Sequence, residues 1–166
     1  MKKTIGMAAL CAALLCGFTA CDEEHYSELP AFGGFRMEPS EWHSGDKATV
    51  TAVQQQLGNL LYKAKYIWHV ECSGVTLADT TYSVVYDTDK ADPAVTFRIP
   101  ADVQGTASVS FRAEYSYSAR SPKSVSNGTN DGHSGLQGSI RATGSGELSG
   151  ICAGSTSCTI KARSEE

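Results

Sequence analysis

Apolar and polar residues alternate with a period of two along most of the chain, the pattern of strands that bury one face. Between Lys47 and Val53, Ala48, Val50 and Ala52 share one face and Thr49 and Thr51 the other. From Lys63 to Cys72, Tyr66, Trp68, Val70 and Cys72 fall together, with Lys65, His69 and Glu71 opposite. Tyr82, Val84 and Tyr86 align within Thr80 to Tyr86, and Val95, Phe97 and Ile99 align before Pro100 stops the run. Thr106 to Tyr117 alternates for its whole length. Ala31 to Met37 predicts a first strand, weakened by Gly33-Gly34. Short runs rich in Val, Thr, Tyr and Phe, separated by turn residues, predict an all-β antiparallel sandwich. Ser118 to Gly138 is Ser, Gly and Asn with little that is apolar, so a long mobile loop is expected at 118–138. Ser139 to Leu148 and Thr156 to Lys161 predict a closing hairpin turning at Ala153-Gly154-Ser155.

The N-terminus breaks this pattern. Met1-Lys2-Lys3 is positive, and the apolar run from Ile5 to Ala20 is too short to span a bilayer comfortably. A positive start, a short apolar stretch and small residues before a cut site make a secretory signal. Of Cys11, Cys16 and Cys21, only Cys21 follows a small residue. Phe18-Thr19-Ala20-Cys21 looks like a lipobox, which implies cleavage before Cys21 and a diacylglyceryl group on its sulfur. The expected organisation is a lipoprotein signal peptide at 1–20, a lipidated flexible tether at 21–30 and a β-sandwich at 31–166. Asp22-Glu23-Glu24 resembles the acidic run behind the lipidated cysteine of Bacteroidota surface lipoproteins, which implies an outer membrane site facing the exterior. In enteric-type bacteria an Asp directly after the cysteine instead retains a lipoprotein at the inner membrane, so a periplasmic face is the alternative.

Without residues 1–20 the chain has 146 residues, one domain by length and enough to bury a core. Twelve basic residues then stand against 18 acidic ones, a net charge of about −6. No Lys/Arg cluster appears, which argues against a nucleic-acid partner. Membrane contact falls to the lipid, and stable anchoring needs more than one acyl chain.

Residues 46–117 resemble the PKD-like and immunoglobulin-like domains of bacterial surface proteins. Asp46 to Val53 matches strand B, Tyr66-Ile67-Trp68 matches strand C, and Pro93 to Gly105 leads into a long strand F. Trp68 stands where such folds bury a strand-C tryptophan. Val109 replaces the antibody disulfide cysteine, Ala107 replaces the corner tyrosine, and His69-Val70-Glu71 replaces the acidic run that follows the PKD tryptophan. The resemblance implies a fold group, which carries no single function.

Chemistry-bearing residues are sparse. An exported compartment permits disulfides, and Cys152 and Cys158 flank the expected hairpin loop, so they are the candidate pair. Cys72 shares the Trp68 face and reads as a buried hydrophobe. His25, His43, His69 and His133 have no metal spacing, so no metal site is expected on them, and no cofactor is expected. Gly132-His133-Ser134-Gly135 falls short of a nucleophile elbow. Asp87, Asp89 and Asp92 lie in one turn and could hold calcium, as could the weaker Asn127, Thr129 and Asp131 set, but solvated turn residues explain both better. Asp79-Thr80-Thr81 resembles the O-glycosylation sequon of the Bacteroidota, which implies modification of Thr80 in a polar turn. Trp42, beside His43 in a Pro39-Ser40-Glu41 loop, is the candidate exposed ligand contact. The expected role is non-catalytic: binding or adhesion to a glycan or protein at the surface, or an accessory part of an envelope assembly. A glycan-active enzyme, which usually needs two facing carboxylates, and a structural spacer are the alternatives.

Overall fold

The computed structural model describes residues 28–86, 91–117, 136–142 and 148–163. These form nine strands and no helix: β1 (Ala31–Glu38), β2 (Trp42–His43), β3 (Lys47–Gln56), β4 (Leu61–Cys72), β5 (Val75–Val85), β6 (Ala94–Arg98), β7 (Gly105–Tyr117), β8 (Leu136–Ala142) and β9 (Leu148–Lys161). The described part of the chain is all-β, as its alternation predicts. Three strands make one sheet, in the order β1-β3-β6. Six make the other, in the order β2-β9-β7-β4-β5, with β8 also on β9. All pairs are antiparallel except β2–β9, which is parallel.

One apolar core lies between the sheets. Its centre is Phe111 of β7, which lies against Trp68 of β4 with ring centroids 4.5 Å apart and against Phe32 of β1 at 5.5 Å. Trp68, Val70, Cys72, Ala107, Val109 and Ala113 are fully buried, on the faces that the alternation assigns to the core. The β4–β5 hairpin turns through Ser73 (φ 51°) and Gly74 (φ 81°), the two positive φ values that a type I′ turn requires.

The strand register explains β9, which departs most from expectation. Its inward residues are small: Gly150, Cys152, Gly154, Thr156 and Cys158. They sit beside the inward residues of β7, with Gly150 level with Tyr115, Cys152 with Ala113, Gly154 with Phe111 and Cys158 with Ala107. Bulk on one strand is matched by its lack on the other, which is how close packing is kept. A Cβ on Gly150 would run into Leu29 and the ring of Tyr117. Ala153-Gly154-Ser155 is therefore mid-strand, not a hairpin turn, and the partner of β9 is β8.

Two boundaries shift for similar reasons. Glu28 already pairs with Asn59, and Leu29 and Pro30 are buried, so the ordered domain begins inside the span expected to be tether. Leu136–Ala142 is a strand, with Leu136 buried in the core, so residues 136–138 belong to a strand and not to the loop expected at 118–138. The chain thus enters the sandwich at the end that also carries the β3–β4 connection and the C-terminus of β7.

Candidate binding face

The outward face of the six-stranded sheet carries the richest polar arrangement among the described residues. Alternation places Lys65, Ile67, His69 and Glu71 of β4 on this face, with Ser108, Ser110, Arg112 and Glu114 of β7 beside them and Ala153, Ser155 and Ser157 of β9 beyond. The register lines them into rows. His69 is level with Ser110, and Ser110 with Ser155; Glu71 is level with Ser108, and Ser108 with Ser157; Thr106 is level with Thr159. Neighbouring strands lie about 4.8 Å apart, so β7 and β9 carry a two-wide ladder of hydroxyls.

Small side chains on β9 leave a hollow in this face. Ile67, His69, Ser110, Arg112, Ala153 and Gly154 line it, and its volume is about 490 Å³. That lies within the range of about 300–1,000 Å³ typical of ligand pockets, although this one is open and polar at its rim. Among the described residues no Phe, Tyr or Trp ring faces the hollow from the outward side; Phe111 contributes from the strand while its ring points into the core.

Charges order the rim. Arg112 Nε donates to Glu114 Oε1 at 2.9 Å, and Lys65 Nζ reaches Glu114 Oε2 at 3.4 Å. Partial burial works to raise the Glu114 carboxyl, but these hydrogen bonds and positive charges outweigh it and hold the group below its usual range. His69 stands between two carboxylates, with Nε2 3.5 Å from Glu71 Oε2 and Nδ1 3.9 Å from Asp79 Oδ2. Exposed pairs of this kind add little stability. Their effect is to fix the direction of the Arg112, Lys65 and His69 side chains.

The face does not assemble a nucleophile with its base. Ser110 Oγ donates to the main-chain carbonyl of His69 at 3.4 Å, and the imidazole nitrogens are turned to Glu71 and Asp79. Those two carboxylates are 50 % and 72 % exposed and share one imidazole.

Several residues singled out in the sequence sit elsewhere. Trp42 is buried, 1 % exposed, with its ring edge-on to Phe97 at 5.4 Å; β2 pairs with β9 and turns the indole into the core. It is a packing residue and not an exposed ligand contact. Cys152 and Cys158 are both free and lie six residues apart on β9. At about 3.3 Å per residue their Cα atoms are roughly 20 Å apart, beyond the 4.4–6.8 Å of a disulfide, so the expected pair cannot form. Cys72 is free and fully buried, as expected for a hydrophobe. Burial pushes the Cys152 thiol up to about 12 and the Cys158 thiol up to about 11. Thr80 is exposed but lies in the middle of β5, level with Trp68, and not in a turn. Asp92 Oδ1 accepts the main-chain N–H of Gln54 at 3.0 Å, a structural cap. Asp87 and Asp89 lie outside the described residues, as do Cys21, His25, the Asn127–Asp131 set, His133 and the signal peptide at 1–20. Among the described residues no group of His, Cys, Asp and Glu is placed to hold a metal ion.

The sequence left the face itself unmarked, because Ser108, Ser110, Ser155 and Ser157 each read as ordinary solvent-side residues of a strand. The only available sign was Ser at alternate positions in two separate segments, and pairing register is needed to bring those segments together. No family model, no curated protein and no solved structure matches the chain.

Proposed function

We propose that this chain is a lipid-anchored, non-catalytic binding protein of the cell surface. It is an immunoglobulin-like, PKD-like sandwich held at the outer membrane through Cys21, and the outward face of its six-stranded sheet recognises a hydroxylated ligand of the glycan class. The observation that carries the reading is that face: a hollow of about 490 Å³ lined by His69, Ser110 and Arg112, next to a ladder of hydroxyls on β7 and β9. Sugars offer many hydroxyls that both donate and accept, which suits Ser hydroxyls, carboxylates and a guanidinium held on a rigid sheet.

Strand order supports the immunoglobulin-like assignment. β1, β3 and β6 stand as strands A, B and E, while β4, β7 and β9 stand as C, F and G. The N-terminal entry supports the anchoring geometry. Six residues lie between Cys21 and Glu28, and the seven Cα steps span at most about 25 Å when fully extended. A lipid on Cys21 therefore keeps the entry end near the bilayer, with the strands and the binding face projecting beside it.

Two measurements on cells test the address. Wild-type protein should take up labelled palmitate and Cys21→Ser should not; equal labelling ends the anchoring reading. Protease added to intact cells should digest the domain. Survival until the outer membrane is opened places the domain in the periplasm and gives the role to envelope assembly instead.

A further inference from the structure

β5 is the outer strand of the six-stranded sheet, and among the described residues it pairs with β4 alone. It is 11 residues long, Val75-Thr76-Leu77-Ala78-Asp79-Thr80-Thr81-Tyr82-Ser83-Val84-Val85. Open edges are usually blunted by Lys, by Pro or by being short, because their unpaired N–H and C=O groups are templates for another strand. β5 is long and carries no Lys or Pro, its only charge is Asp79, and its one irregularity lies near Leu77, outside the stretch Ala78–Val85. Val75 is 42 % exposed and Val85 72 % exposed, so its ends are also apolar.

The direction of the open groups follows from one hydrogen bond. Tyr86 N donates to Tyr62 O of β4 at 3.0 Å. Peptide groups alternate in direction along a strand, so those of Asp79, Thr81, Ser83 and Val85 point away from β4, toward the open edge. We infer that this edge pairs with β5 of a second copy of the chain, antiparallel and centred on Thr81. The irregularity in the β4–β5 ladder near Leu77 limits the regular stretch to Ala78–Val85. Within it, a two-fold axis at Thr81 places Asp79 opposite Ser83 of the other copy, Ala78 opposite Val84 and Thr80 opposite Tyr82. An axis at Asp79 would set two like charges face to face, which opposes pairing. An axis at Ser83 would shorten the overlap to the last residues of the strand. The Thr81 register brings the inward residues Ala78, Tyr82 and Val84 of both copies alongside one another, which extends the core face across the junction. A self-complementary contact of this kind closes as a two-fold dimer and does not grow further.

The pairing has a directional consequence that rests on the lipid-anchoring reading. The chain enters at the end where β5 finishes, so in an antiparallel dimer the two entry points lie at opposite ends. Two copies joined in this way suit two facing membranes, and the dimer is a homophilic bridge between cells.

Cysteine at the axis tests both parts. Thr81→Cys in the full-length chain, purified and mildly oxidised, should give a disulfide dimer at least tenfold above wild type, since paired Cα atoms about 5.5 Å apart suit the bond. Thr76→Cys, exposed on the same strand but off the axis, should stay at the wild-type level. No Thr81→Cys dimer, or equal dimer from both variants, overturns the pairing. As a second arm, Thr81→Lys should sediment as a monomer with an unchanged circular dichroism spectrum; a dimer there overturns the edge contact. Cells carrying two differently tagged Thr81→Cys chains should yield mixed-tag dimer on mixing. Purified dimer without mixed-tag dimer, in cells whose chain takes up palmitate, overturns the bridging geometry. If palmitate is not taken up, the anchoring reading falls while the dimer of the purified chain stands.

Discussion

Replacing Trp68 by alanine removes the indole that the two sheets close upon. The side chain is fully buried and meets Phe111 at 4.5 Å and Phe35 at 6.3 Å between centroids. An aromatic of this size buries about 200 Å², worth about 5 kcal/mol at 25 cal/mol per Å², of which alanine retains roughly 1 kcal/mol. The two ring contacts add about 1–2 kcal/mol. One feature works the other way. Trp68 Nε1 is buried and finds no acceptor among the described residues, so its loss relieves about 1–2 kcal/mol of desolvation. The net cost is about 4 kcal/mol, inside the range for large-to-small core changes and a large share of a stability of about 5–15 kcal/mol. For a chain of this size that lowers the melting temperature by about 8–16 °C. Thermal unfolding followed by circular dichroism measures it on the purified chain. Trp68→Phe refines the test. It keeps a ring against Phe111 and removes the unsatisfied N–H, so it should cost only about 1–2 kcal/mol. A melting temperature within 2 °C or so of wild type for Trp68→Ala, or equal losses for both variants, would refute this account of the core.

The remaining expectations concern β9, the thiols and the tyrosines. Gly150→Ala should destabilise by about 1–3 kcal/mol, because the new methyl meets Leu29 and Tyr117, and chemical denaturation should show a lower midpoint with an unchanged slope. Mass spectrometry of the native chain after iodoacetamide at pH 8 should find Cys72 and Cys152 unmodified, with labelling appearing only on unfolding; burial encloses both and holds the Cys152 thiol near 12. Burial pushes Tyr86 up to about 12 and raises Tyr66, Tyr115 and Tyr117 as well. Raised values of this kind give stability that is full below 10, the ordinary tyrosine value, and is lost as pH rises through the folded value, so alkaline unfolding should begin above pH 10 and sharpen toward 12. A flat melting temperature between pH 10 and 12 would contradict that.

Legibility in the sequence followed contrast between faces. β4 and β7 alternate large apolar with polar residues, from Tyr66, Trp68 and Val70 against Lys65, His69 and Glu71, so their length and inward faces could be read directly. β9 lacks that contrast, because its inward glycines and cysteines make room for Phe111 and Tyr115, and such small residues look like a turn. Trp42 misled for a different reason. A two-residue strand has no period to detect, and only its parallel pairing with Ile160 and Lys161 directs the indole onto Phe97. Thr80 read as a turn because Asp79-Thr80-Thr81 is polar. It lies in an edge strand that the three-stranded sheet meets at Tyr82, whose hydroxyl bonds to Ala94 of β6, while Thr80 stays exposed, so a polar residue is tolerated there. The candidate face needed the register of three strands at once, which no single segment encodes.

The most direct test of the binding face is a glycan array probed with the purified wild-type chain and with the His69→Ala/Arg112→Ala double variant. Both side chains are nearly half exposed and lie outside the core, so the variant should melt within a degree or so of wild type. The account predicts that wild type binds a defined set of glycans and that the variant loses at least tenfold in affinity for that set, about 1.4 kcal/mol. Wild-type and variant signals of equal strength, or no glycan bound by either, would contradict it.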